Sequence, residues 1–306
     1  MPISRRSLLL GSALRLWGQD AKFSTDVNLV TLLATVHDRD GRVVKNLSRE
    51  DFTLLDDGRP QTISHFSRES DLPLRIGLLV DTSRSQRTVI EAERRASYTF
   101  LDQVLREGKD RAFVARFDID VEVVQGFTSS RAELRSALEG LKIPGQTATL
   151  IFEAVRKISE EQMRAQTGRK AYILLSDGVS FRDPVSIGTA IEYAQRADVI
   201  IYSILFAGMP PVIQGLVGKH GRVVGSKPGR MAMQRLALET GGDYFEVTEK
   251  EPIESIYARI EDALRNQYSL GYTPRHPAKS GEYRKIKLTT RNKKLLVRTR
   301  DGYYAQ

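Results

Sequence analysis

The chain has 306 residues, of which 41% are apolar and 28% are charged, a composition typical of globular proteins and unlike that of disordered or membrane-embedded chains. It contains no cysteine, which excludes disulfides, thiolate metal sites and cysteine nucleophiles. The formal net charge is +9, but the basic residues are interspersed with acids in stretches such as SRES and EAERR. A solvated basic surface is therefore a better interpretation than a nucleic-acid interface.

The first 21 residues resemble an export signal. Arg5 and Arg6 precede a short apolar run, Leu8 to Leu10, which is the order found in twin-arginine signals. We therefore expect a periplasmic or secreted protein, or a cytoplasmic one if this signal is not functional. The chain has no run of about 18 apolar residues, so we expect no transmembrane segment.

The remaining sequence divides into three parts by its pattern of apolar residues. In the central part, apolar strands alternate with amphipathic helices, which predicts an α/β fold with a doubly wound, mainly parallel sheet flanked by helices. Its strands RAFVARFD and VEVVQGF are joined by a short link and form one antiparallel edge hairpin. The flanking parts predict β-strands, with Ser48 capping one helical turn and a hairpin at Asp57-Gly58. The predicted segments are 24–70 (β), 74–268 (α/β) and 269–306 (β), and we infer that the two β segments form one small β-module.

Two features of the central part predict particular surfaces. The helix after the strand RIGLLVD is expected to bury Val89, Ala92, Ala96, Phe100 and Val104. Segment 207–230 is rich in glycine and proline, has basic residues and no acid, and predicts a long loop. We expect the loop to border the sheet edge described next and to recognise an acidic ligand, or else to be a mobile insertion. Its candidate residues are Lys219, Arg222, Lys227 and Arg230.

Carboxylates follow two of the predicted parallel strands, at the edge where such sheets bind ligands. Asp81 ends GLLVD and Asp177 ends YILLSD. Either aspartate alone is explained by helix capping. Ser83 and Ser85, however, follow Asp81 at a spacing of two, so their hydroxyls can converge with it. This pattern predicts a cluster of oxygen ligands for a hard cation such as Mg²⁺, Mn²⁺ or Ca²⁺.

These residues carry a resemblance to the von Willebrand factor A (VWFA) domain family. The stretch DTSRS resembles the D-x-S-x-S of the metal-ion-dependent adhesion site (MIDAS) of that family. TLIFEAV, from Thr149, is similar to its second element, and LLSDG, with Asp177, is similar to its third. All three occur in the order of the family. The flanking stretches REDFTLLDDGRPQTI and RDGYYA resemble those of VWFA-related bacterial proteins that carry export signals.

The resemblance implies how a metal would be held and used. Ser83, Ser85 and Thr149 would bind it directly, and Asp81 and Asp177 would bind it directly or through water. Because this chain has GQTAT where the family has a pair of glycines before the threonine, Thr147 is an alternative to Thr149. The implied cofactor is Mg²⁺, with Mn²⁺ or Ca²⁺ as alternatives, and the implied partner is a protein whose carboxylate completes the coordination.

Two other functions are weaker interpretations of the same sequence. A phosphoryl-transfer enzyme of the haloacid dehalogenase type needs a second carboxylate two residues after the first as a general acid, and Ser83 occupies that position. Phosphate-binding loops, dinucleotide motifs and nucleophile elbows are absent, so we expect no enzyme. A nucleic-acid binder would depend on salt and not on metal. We therefore expect an exported, metal-dependent protein-binding module, and the sequence leaves its oligomeric state open.

Overall fold

The computed structural model describes residues 29–68, 72–144, 148–206, 227–276 and 278–305. The predicted export signal lies outside the described residues, as do Thr147, Lys219, Arg222 and the side chain of Lys227. Among the described helices, none combines the length and the apolar character needed to cross a membrane.

The described part of the chain begins with a strand, a single helical turn and a hairpin. Ser48 precedes the predicted turn, which is a 3₁₀ helix (Arg49–Asp51), and its N–H donates to Asp51 Oδ2 at 2.8 Å. Asp57 and Gly58 both have positive φ, 46° and 76°, which suits the tight turn of the predicted hairpin. The strands are β1 (Val30–His37), β2 (Phe52–Asp56), β3 (Arg59–Gln61) and β4 (His65–Arg68).

Within the described residues, a six-stranded sheet follows, and six α-helices flank it. The strand order is 10-9-8-5-6-7, and every neighbouring pair is parallel except 6 and 7, which form the predicted edge hairpin. The strands are β5 (Leu74–Asp81), β6 (Arg111–Phe117), β7 (Val121–Thr128), β8 (Arg169–Ser176), β9 (Val199–Leu205) and β10 (Tyr244–Glu246). The helices are α1 (Ile90–Val104), α2 (Arg131–Glu139), α3 (Ile151–Ile158), α4 (Ile187–Arg196), α5 (Lys227–Thr240) and α6 (Ile253–Arg265).

Both faces of this sheet are buried, since every residue of β8 and every residue of β5 except Arg75 is buried. One face packs against α1, α2 and α6, and the other packs against α3, α4 and α5. Alternate residues of each strand enter opposite cores, as the pleat of a strand requires. The predicted doubly wound α/β fold is thus confirmed.

Two predictions about this region are wrong in detail. Ala92 is exposed, and Glu93 takes its place on the buried face of α1 with 1% exposure. Residues 90, 93, 96, 97, 100, 101 and 104 form that face, so the predicted face lies one position too early at its start, at Val89 and Ala92. The predicted loop ends too late, since α5 begins at Lys227 and includes Arg230, whose Nε donates to Glu246 Oε1 at 2.9 Å.

The strands at the two ends of the chain pair with each other, as predicted. The remaining strands are β11 (Tyr268–Tyr272), β12 (Tyr283–Thr290), β13 (Leu296–Arg298) and β14 (Gly302–Tyr304). They complete two four-stranded antiparallel sheets, with strand orders 13-1-11-4 and 14-12-2-3. One apolar core, which includes Leu32, Leu54 and Tyr268, receives side chains from both sheets.

A buried carboxylate links these two sheets. Asp56 is fully buried and accepts hydrogen bonds from Arg284 Nε and from the Tyr272 hydroxyl, both at 2.9 Å. Arg284 lies on β12 and is also buried, whereas Tyr272 ends β11 in the other sheet. Removal of Asp56 would leave a buried guanidinium with only the partly exposed Asp57 and Glu282 near it.

We expect Asp56→Ala to lower the free energy of unfolding by roughly 3 kcal/mol, the usual cost of breaking a buried ion pair from one side. Urea denaturation followed by circular dichroism measures this change. Asp57→Asn is the matched control, because it removes an exposed partner of the same arginine and should cost less than about 1 kcal/mol. Equal effects of the two variants would contradict a structural role for Asp56.

Candidate metal centre

Asp81 and Asp177 lie beside each other at one edge of the central sheet. Asp81 is the last residue of β5, and Asp177 follows Ser176, the last residue of β8. The two strands are hydrogen-bonded neighbours in parallel register, so their carboxyl ends meet. Both aspartates are buried, with exposures of 0% and 2%.

Asp81 is held in place by both of its oxygens. Oδ1 accepts from the N–H of Ser83 at 2.8 Å, and Oδ2 accepts from the hydroxyl of Ser176 at 2.6 Å. The hydroxyl of Ser176 also accepts from the N–H of Gly178 at 3.0 Å. This serine, which sequence analysis did not single out, therefore connects the first motif to the loop that follows Asp177.

The hydroxyls of Ser83 and Ser85 converge as the spacing predicts. Their oxygens are 3.0 Å apart, because a 3₁₀ turn (Arg84–Thr88) follows Ser83 directly. Ser83 is buried with 5% exposure, while Ser85 is exposed. One hydroxyl thus lies inside the cluster and the other lies at its surface.

Thr149 reaches the same edge through its backbone. Its N–H donates to the carbonyl of Phe181 at 3.0 Å, and its carbonyl accepts from the N–H of Phe181 at 3.1 Å. Phe181 belongs to the loop after Asp177, so this bridge joins the second motif to the third. Thr149 is 7% exposed and stands two residues before α3 begins at Ile151.

Two further aspartates, which sequence analysis missed, fasten these segments. Asp118 directly follows β6, a third strand that ends in a carboxylate at this edge. Its Oδ2 accepts from the Thr82 hydroxyl at 2.5 Å, and its carbonyl accepts from the N–H of Leu150 at 3.1 Å. Asp183 accepts from the N–H of Phe152 at 2.7 Å and so caps α3 from the loop after β8. Asp118 could have been predicted, because it ends the apolar strand RAFVARFD as Asp81 ends GLLVD.

The glycine of the third motif is required by close contact. Gly178 has φ of +76°, and a Cβ on it would lie 2.8 Å from the carbonyl oxygen of Gly229. Gly229 lies in the first turn of α5. The loop after Asp177 is therefore pressed against the start of this helix, and a side chain at position 178 would force the two apart.

A third buried acid, Glu93, is connected to Asp177 through Gln86. Glu93 is 1% exposed, and its Oε1 accepts from the side-chain amide of Gln86 at 3.3 Å in the orientation that satisfies both ends of that amide. The amide oxygen of Gln86 then accepts from the N–H of Asp177 at 3.1 Å. Burial, followed by repulsion from Asp81 and Asp177, raises the pKa of Glu93 well above its usual value. The environment of Glu93 therefore favours its protonated form over the carboxylate.

Within the described part of the chain, no lysine, arginine or histidine forms an ion pair with Asp81, Asp177 or Glu93. Burial, with the charge of Asp177 as the second cause, raises the pKa of Asp81 to about 7. Buried carboxylates normally have a paired cation or a bound metal. The main electrostatic feature of this site is that no basic side chain among the described residues balances its buried acids.

The side chains present fit a hard divalent cation. Two carboxylates and the hydroxyls of Ser83, Ser85 and Thr149 offer oxygen atoms only, as Mg²⁺, Mn²⁺ and Ca²⁺ prefer. The described residues contain no cluster of three or more His, Asp or Glu with the geometry of a metal site, so serine and threonine hydroxyls would have to supply part of the coordination.

The comparisons with known proteins agree with this fold. The family model for the von Willebrand factor type A domain matches residues 76–259, more than half of the chain. No curated protein sequence matches. Proximal thread matrix protein 1 from the mussel byssus has a similar structure, with a TM-score of 0.53 and 14% identity over 68% of this chain and 50% of that one.

Two other solved structures are also similar. The same mussel protein with a zinc-occupied MIDAS motif has a TM-score of 0.53 and 13% identity, covering 68% of this chain and 49% of that one. This chain thus spans about half of the mussel protein. An aerotolerance-related membrane protein from Bacteroides fragilis has a TM-score of 0.49 and 18% identity, covering 63% of this chain and 98% of that one.

We expect Asp81→Asn to stabilise the metal-free protein at pH 8, because it removes a buried negative charge beside Asp177. The wild-type native state holds a proton on Asp81 up to about pH 7, whereas the unfolded chain loses it near pH 4. Wild-type stability therefore falls as the pH rises through this window. The gain from Asp81→Asn should be larger at pH 8 than at pH 5 by roughly 2 kcal/mol.

Urea denaturation in EDTA at the two pH values measures this difference. Ser136→Ala, an exposed substitution on α2 that changes no titratable group, is the control and should show no such dependence on pH. A gain from Asp81→Asn that is equal at both pH values would contradict the burial of an uncompensated charge.

Proposed function

Because the chain belongs to the von Willebrand factor type A domain family, we propose that it is a binding protein that uses a divalent cation to engage a carboxylate of a protein partner. Asp81, Ser83, Ser85, Thr149 and Asp177 would hold the cation. The observation that carries this proposal is the pair of buried aspartates with no cation partner among the described residues. The cation would be Mg²⁺, with Mn²⁺ or Ca²⁺ as alternatives.

The partner's role follows from the charge of the ligands. Three of the five proposed ligands are neutral hydroxyls, so if Asp81 and Asp177 bind through water, the cation has only neutral direct ligands and its open position would favour an anion. Ser85 is exposed, which supports an open side of the cation where a carboxylate oxygen could bind. Phe181 is 41% exposed and is bridged to Thr149, so it offers an apolar contact beside that position.

Two aspects of the proposal rest on sequence and family. Arg5 and Arg6 support export through a twin-arginine signal, which would bring the site into contact with envelope or extracellular partners. A binding role rather than catalysis is supported by Ser83, which leaves no general acid two residues after Asp81. The zinc-occupied MIDAS motif of the mussel protein supports metal binding at this kind of site.

We expect Mg²⁺ and Mn²⁺ to raise the melting temperature of the protein, and EDTA to reverse the change, because a ligand bound only by the folded state stabilises it. Ser83→Ala should weaken metal binding by about tenfold or more, at least as much as the loss of a supporting contact in known metal sites. Isothermal titration calorimetry measures the affinity. Ser136→Ala, on the exposed face of α2, is the matched control, and equal metal affinities for both variants would exclude Ser83 as a ligand.

We expect the immobilised protein to capture a partner from a cell-envelope extract in Mg²⁺ and to release it in EDTA. Capture should be lost with Ser83→Ala. It should also be lost when the carboxylates of the extract are first converted to amides with carbodiimide and glycinamide. Captured proteins are identified by mass spectrometry. Capture that survives EDTA or the blocking of carboxylates would exclude this mode of binding, and capture lost in moderate salt but not in EDTA would favour a charged surface instead.

A further inference from the structure

A cavity of about 640 Å³ lies at the opposite edge of the central sheet from Asp81 and Asp177. It opens between the beginnings of β8 and β9 and the two terminal sheets, which contribute residues of β1, β11 and β14. Its volume is within the range of small-molecule sites. Part of its wall is apolar, including Val30, Leu33 and Ile200, and the aromatic residues Tyr303 and Tyr304 also border it.

One side chain of this cavity has no explanation in the fold itself. Lys170, the second residue of β8, lines the cavity and is 8% exposed. Its ammonium group makes no hydrogen bond or ion pair with any described residue. Burial lowers the pKa of Lys170, the charge of Asp198 raises it, and the nearby Arg300 lowers it further. Most of this side chain is buried, and its ammonium group is left at the cavity without a protein partner.

The other cations that border the cavity already have partners. Arg300 donates to Asp198 at 2.5 Å, and Arg196 donates to Glu192 at 2.8 Å. Arg169 donates to backbone carbonyls, including that of Leu72 at 3.1 Å. Asp198, the only acid among the cavity-lining residues described, is thus already occupied by Arg300. Among the cations of the described wall, Lys170 is the one without a hydrogen-bond or ion-pair partner, so its ammonium group is available to a ligand.

We infer that this cavity binds a small-molecule carboxylate with an apolar body, and that Lys170 binds its carboxylate group. The single ammonium group without a protein partner matches a single carboxylate group. The apolar wall beside Lys170 would cover the rest of the molecule. This site is separate from the proposed metal site, because Lys170 lies near the start of β8 and Asp177 lies just beyond its end.

The test uses the full chain and three eight-carbon probes that differ in charge: octanoate, octan-1-ol and octylamine. We expect calorimetry to show binding of octanoate and at least tenfold weaker binding of the alcohol and the amine. Lys170→Met keeps the unbranched side chain and removes the charge, so it should weaken octanoate binding by about tenfold or more. The same variant should melt about 2–4 °C higher, because the unpaired buried charge is gone.

The opposite signs of these two effects distinguish a binding residue from a structural one. A structural role for Lys170 predicts that Lys170→Met melts lower, and that result would overturn the inference even if octanoate binding falls. Equal binding of the three probes, or unchanged octanoate binding by Lys170→Met, would also overturn it. Lys142→Met, an exposed lysine elsewhere, controls for net charge. Ser83→Ala should bind octanoate normally, so failure of the metal site leaves this inference intact.

Discussion

The parallel pairing of β5 and β8 forces two carboxylates together in the interior of the protein. Asp81 and Asp177 terminate neighbouring strands in register, and both are buried without an ion-pair partner among the described residues. Like charges this close, away from water, destabilise the fold unless one takes up a proton or a cation arrives. The raised pKa of Asp81 corresponds to the uptake of a proton. The proposed function corresponds to the binding of a cation.

The segments that carry the hydroxyls around this pair are tied to one another in the structure without a cation. Three sets of hydrogen bonds connect the motif segments: Ser176 joins the first to the third, Asp118 joins the first to the second, and Phe181 joins the second to the third. Since each segment is tied to both others, displacement of one would strain the remaining contacts. Such preorganisation lowers the conformational cost of binding. A partner would then meet a site whose ligands need little rearrangement.

Much of the fold and the motif residues could be predicted from the sequence, because buried strands and amphipathic helices alternate plainly and the ligand candidates follow strand ends. What escaped prediction depends on which way individual side chains point. Glu93 stands among charged neighbours in EAERR, and only its distance of three and four residues from Ala96 and Ser97 indicates the buried face. Asp183 caps α3, a helix that precedes it in the chain, and no local pattern reveals such a contact. Lys170 is a polar residue near the start of a strand, and the sequence does not indicate that it lines a cavity together with the terminal sheets.

The sheets built from both ends of the chain also determine the order in which the protein can fold. β1 pairs with β11 and β13, so during synthesis from the N-terminus its apolar residues remain unpaired until nearly the whole chain exists. The strands of the central sheet all come from residues 74–246 and can pair before β11 exists, whereas β1 must pair with a strand more than 200 residues away. An unpaired β1 is meanwhile an exposed edge that favours aggregation. Because β1, β11 and β14 also wall the cavity that Lys170 lines, this cavity is complete only after the two ends of the chain have paired.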